Sequence, residues 1–68
     1  MSVRKAREIK GWSQQELASR AGISTHTITN VEKMRPVRPV VKKAICEALG
    51  TYDVEIVVSR PVLKEETL

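Results

Sequence analysis

The chain has 68 residues, enough for one small domain but too few for a catalytic cleft walled on two sides. One cysteine, Cys46, and one histidine, His26, exclude an internal disulfide and a zinc site built from these two residue types. Net charge is +4 and only Trp12 and Tyr52 are aromatic, so the core is aliphatic and small, and open to completion by a second subunit.

In chain order, Ser2 is placed to cap a first helix that turns Val3 and Ala6 inward, with Ile9 or the stem of Lys10 beside them. Gly11 stops it. The run Ser13-Gln14-Gln15-Glu16 reads as a capping box, in which the Ser13 hydroxyl accepts from the Glu16 amide and the Glu16 side chain reaches back. Trp12, just before that cap, is placed to staple onto Leu17. The second helix runs to about Ala21, with Leu17, Ala18 and Ala21 on one face. Gly22 suits a sharp left-handed turn, and Ile23 plugs the core from within it.

Ser24 caps a third helix that carries Ile28 and Val31 inward and ends before Pro36. Its other face is polar: Thr25, His26, Thr29, Asn30 and Lys33. A helix whose exposed face carries short polar side chains and few acids suits a DNA major groove. Pro39 opens a fourth helix, in which Val41, Ala44, Ile45, Ala48 and Leu49 recur at helical spacing until Gly50. Cys46 reads as a small, semi-buried filler of that helix.

After Gly50 the period changes to two. Val54, Ile56 and Val58 alternate with Glu55, Val57 and Ser59, which predicts a strand within 51–60. A lone strand leaves backbone groups unpaired, so pairing with the same strand of a second chain is expected through Val54, Ile56 and Val58; the alternatives are an extension of the helix or a disordered segment. The remainder, 61–68, is expected to be a flexible tail.

Charge divides the same way. Residues 1–50 carry ten basic residues against four acidic ones; residues 51–68 carry two against four. A basic globular domain fits a polyanionic partner. No apolar run reaches membrane-spanning length and the first residues do not read as a signal peptide, so a cytoplasmic, nucleoid-associated protein with no membrane contact is expected.

From Gln14 to Val31 the chain reads helix, tight glycine turn, helix. With Arg7, Gly11-Trp12-Ser13-Gln14-Gln15-Glu16-Leu17-Ala18, Gly22-Ile23-Ser24 and Ile28-Thr29-Asn30-Val31-Glu32, it resembles the lambda-repressor-like, or Cro/Xre-type, helix-turn-helix family over residues 3–50. The resemblance implies a mainly α fold of four to five helices, here with a short C-terminal β-strand, the DNA-binding domain occupying 1–50. It implies base reading by Thr25, His26 and Asn30. It implies phosphate contacts by Gln14, Thr27, Thr29, Lys33, Arg35 and Arg38, where Thr27 and Thr29 are alternatively contacts to a thymine methyl. It implies a structural ion pair between Arg7 and Glu32.

Three features depart from the family pattern. The glycine usual two residues after Glu32 is replaced by Met34. The link Arg35-Pro36-Val37-Arg38-Pro39 is short and stiffened by proline. A strand-like segment stands where a terminal helix is usual. The expected function is a sequence-specific transcriptional regulator, a repressor, that binds a near-palindromic operator as a homodimer. The alternative is an antitoxin, or another module for a toxin or other protein partner, in which DNA binding is secondary. No nucleophile–base pair, metal cluster or phosphate loop is visible, so neither enzymatic activity nor a cofactor is expected.

Overall fold

The computed structural model describes residues 1–59, so Arg60 and the tail 61–68 lie outside the described residues. Four helices follow in order: α1 (Val3–Ile9), α2 (Gln14–Ala21), α3 (Thr25–Glu32) and α4 (Pro39–Leu49). The fold is mainly α, at the lower end of the four to five helices expected.

Three of the four helices start on a serine. The hydroxyls of Ser2, Ser13 and Ser24 accept from the amides of Lys5, Glu16 and Thr27 at 3.0, 3.0 and 3.2 Å. Each meets one of the amide donors that a helix start leaves without an internal partner. The capping box at Ser13 is only half built. The Glu16 carboxylate binds Arg20, one turn on, at 2.6 Å instead of reaching back to Ser13. A charged partner at i+4 outcompetes a neutral amide for an exposed carboxylate. α4 has no side-chain cap; Pro39 occupies its first turn, where a missing amide costs nothing.

The core is aliphatic. Leu17, Ile28 and Ile45 are fully enclosed, one each from α2, α3 and α4, with Val3, Val31 and Cys46 around them. Trp12, Ala21 and Ile23 close the edges of that cluster. Cys46 is fully buried rather than semi-buried, and burial pushes its thiol pKa up. Ile9 differs from expectation: it is 65% exposed. α1 is only seven residues long, and its inward stripe ends at Ala6. Ile9 instead lines a shallow cavity of about 250 Å³ shared with Met1 and Leu49.

The segment after Gly50 is extended but does not stand alone. It bridges two distant stretches of its own chain in parallel, Glu55 against Ser2 and Val58 against Val37. The Glu55 amide donates to the Met1 carbonyl, the Val37 amide to the Val57 carbonyl, and the Ser59 amide to the Val37 carbonyl. Val54 is 8% exposed within the core, and Ile56 packs against it. The segment thus bonds along part of one edge to its own chain, through the Glu55 amide, the Val57 carbonyl and the Ser59 amide, and the Val54 side chain lies in its own core.

Candidate nucleic-acid interface

α3 is held on three sides. At its leading end Gly22 adopts the left-handed conformation (φ 71°), and the Ile23 amide donates back to the Ala18 carbonyl. On its inner face Ile28 and Val31 are 0% and 1% exposed. At its far end the Glu32 carboxylate meets Arg7 of α1 side-on: Nε donates to Oε2 at 2.7 Å and Nη2 to Oε1 at 3.3 Å. The remaining terminal nitrogen of Arg7, Nη1, donates to the Trp12 carbonyl at 2.8 Å. The two side chains are only 12% and 7% exposed. A bidentate pair this enclosed fixes geometry, and removing one partner would strand the other charge.

Gln14 enters this network, which its place at the start of α2 did not announce. Its Nε2 donates to Glu32 Oε1 at 3.1 Å. Its Oε1 lies 3.4 Å from the Thr29 hydroxyl, which also donates to the Thr25 carbonyl at 3.1 Å. The network thus joins α1, the start of α2 and the last two turns of α3. Gln14 keeps a second amide hydrogen on Nε2. Its backbone amide and that of Gln15 have no acceptor among the described residues, so the start of α2 presents donors to solvent.

The outer face of α3 is different. Thr25 and His26 are exposed and Asn30 is half-buried. The side chains of all three have no hydrogen-bond or ion-pair partner among the described residues. Positions 25, 26, 29, 30 and 33 share the face opposite Ile28 and Val31, as the helical period requires. Lys33, Arg35 and Arg38 are exposed around the far end of the helix, also without a side-chain partner among the described residues. Besides Gln14, two of the expected contact residues are engaged internally. The Thr27 hydroxyl pairs with Ser24 Oγ at 2.9 Å, and the single Thr29 hydroxyl proton serves Thr25 or Gln14. Each offers its methyl group more readily than its proton.

Two features of the site carry little signal in the sequence. Met34 takes the left-handed conformation (φ 63°), at the position where the family pattern has glycine. It allows the Arg35 amide to donate to the Asn30 carbonyl and the Met34 amide to the Val31 carbonyl, which closes α3 in a Schellman-type turn. Arg20 lies over the Trp12 ring at 4.4 Å from its centroid, with Lys10 at 5.3 Å. Spacing marks Glu16 as the partner of Arg20 but does not mark Trp12 as lying under either cation.

A short helix locked from behind, with an open polar face and cations at its far end, is the architecture of a helix-turn-helix DNA-binding domain. A family model described as helix-turn-helix matches residues 3–56, most of the chain. The chain belongs to that family, the lambda-repressor-like or Cro/C1 type, a family of DNA-binding regulators. Comparison with curated proteins and with solved structures gives no match. No helix among the described residues is long and apolar enough to cross a membrane.

Proposed function

We propose that the protein is a sequence-specific repressor that reads the major groove with α3, acting as a homodimer on a near-palindromic operator in the cytoplasm. The observation that carries this reading is the contrast between the two sides of α3. Its inner side is fixed by a buried ion pair and a closed core. On its outer side Thr25, His26 and Asn30 have side chains free of partners among the described residues. Fixing the helix before contact removes an ordering cost that binding would otherwise bear.

In this reading Asn30 accepts from and donates to an adenine edge, the pairing an amide side chain makes best in the major groove. Thr25 and His26 contact the neighbouring bases. Gln14, with the exposed amides at the start of α2, holds a phosphate. Lys33, Arg35 and Arg38 grip the backbone beyond the recognition helix. Thr27 and Thr29 supply methyl contacts to thymine.

Selection of binding sites from random duplex DNA tests the proposal. A two-fold-symmetric motif with half-sites about one turn apart, roughly 34 Å, is expected. Salt-labile binding to any duplex without enrichment would sink it. On the selected site Asn30→Ala should cost about 1–3 kcal/mol and should cost little on random DNA. Equal loss on both would remove Asn30 from the base readers.

A further inference from the structure

The Gln14 side chain meets α3 with both ends of its amide. Its Nε2 donates to Glu32 Oε1 at 3.1 Å, and its Oε1 faces the Thr29 hydroxyl at 3.4 Å. Thr29 and Glu32 stand three residues apart on one helix, so the two contacts fix which end of the amide meets which residue. The order cannot be reversed. A carboxylate paired with arginine only accepts, and a flipped amide would set its oxygen against Glu32. What Gln14 leaves over is therefore a donor: the second hydrogen on Nε2 has no acceptor among the described residues. With the unmatched backbone amides of Gln14 and Gln15 it makes a set of donors alone, which suits a phosphate oxygen.

Thr29 has one hydroxyl proton and two acceptors for it. In the free chain the Thr25 carbonyl is the nearer, at 3.1 Å. We propose that Thr29 is a positioning residue for the phosphate contact of Gln14: when a DNA phosphate accepts from Nε2, the Thr29 hydroxyl turns from the Thr25 carbonyl to Gln14 Oε1. The inference rests on the reading of Gln14 given above and adds the residue that aims it. The physical reason is cooperativity. An amide that donates through its nitrogen gains charge on its oxygen, so the oxygen becomes the better acceptor. Hydroxyl, amide and phosphate then form one hydrogen-bonded chain. The Thr25 carbonyl is not left bare, because the helix gives it the backbone amide of Thr29. The methyl of Thr29 stays available to the groove, and its proton serves the backbone contact.

Thr29→Val removes the hydroxyl and keeps a branched side chain with a methyl for thymine. Its binding to random-sequence duplex and to the selected operator is expected to weaken alike, about three- to tenfold, the worth of one hydrogen bond. In a Gln14→Ala chain the same substitution is expected to change binding by less than about twofold, because the two residues act as one unit. Thr29→Ser, which keeps the hydroxyl, is expected to recover the lost affinity on random duplex. A loss confined to the operator overturns the proposal and makes Thr29 a base reader. So does an equal loss with and without Gln14, or a Thr29→Ser chain as weak as Thr29→Val. Should Gln14→Ala lose its helical circular dichroism, a neutral methylphosphonate at successive positions of the operator replaces it. The Thr29→Val penalty is expected to vanish when the phosphate at Gln14 is the neutral one; a penalty that persists at every position overturns the proposal. Should Thr29→Val itself lose its helices, Thr29→Ala against Thr29→Ser, which differ by the hydroxyl alone, carries the same comparison. A chain that binds no duplex removes the phosphate reading of Gln14 as well, whereas duplex binding indifferent to Thr29→Val removes this inference alone.

Discussion

The two turns that bracket α3 use the same left-handed step with different residues. Before α3 it is made by Gly22 (φ 71°), after α3 by Met34 (φ 63°). Glycine takes that conformation without steric cost, whereas an L side chain pays about 1–2 kcal/mol for it. The two ends are also fastened differently. The leading end relies on local chemistry, with the Ser24 cap and the Ile23 plug. The far end relies on a long-range pair between Arg7 and Glu32, 25 residues apart. The comparison teaches that strain at the far end is tolerated because a buried ion pair already determines where that end lies.

Removing that fastening has the largest expected effect. Arg7→Ala leaves Glu32 enclosed with Gln14 as its remaining donor, and should destabilise the fold by about 3–5 kcal/mol. For a domain this small that is a large share of its stability, and a urea titration will read it. A loss below about 1 kcal/mol would mean the pair is solvated in solution and does not anchor α3. Next comes the leading turn. A Cβ on Gly22 would meet nothing within 4 Å, so Gly22→Ala should cost only the conformational term, about 1–2 kcal/mol. The smallest effect has the opposite sign. Met34 is 47% exposed and not part of the core, so Met34→Gly should raise stability by about 0.5–1 kcal/mol, visible as a higher melting temperature. If Met34→Gly destabilises, the side chain makes a contact that outweighs its backbone strain, and the two turns are less alike than they look.

How legible each feature was follows from how local its cause is. Ser2, Ser13 and Ser24 declare their helix starts because the group they cap lies three residues away. Gly22 declares its turn because few other residues fit it. The alternation at Val54, Ile56 and Val58 declared extended chain, but not what it pairs with. Its partners, Met1, Ser2 and Val37, lie some 20 to 50 residues away and carry no strand pattern of their own. Glu16 could be read as reaching back to Ser13 or forward to Arg20, and only the placed side chains decide for Arg20. The helical period supplied the polar face of α3 and the resemblance the Arg7–Glu32 pairing, yet neither gave a hint that Gln14 would bond Glu32. Nor does a missing glycine say whether the chain abandons the left-handed step or, as at Met34, forces another residue into it.

The tryptophan beside two cations has an optical consequence. Trp12 is the chain's single tryptophan, half-buried, with Arg20 and Lys10 over its ring. Its fluorescence therefore reports the α1–α2 junction alone. Glu16 offsets the charge of Arg20, so Lys10 supplies the net positive field that concentrates anions and repels cations around the indole. Iodide should quench it more efficiently than caesium at equal ionic strength, and the difference should vanish once the chain unfolds and the two cations drift away.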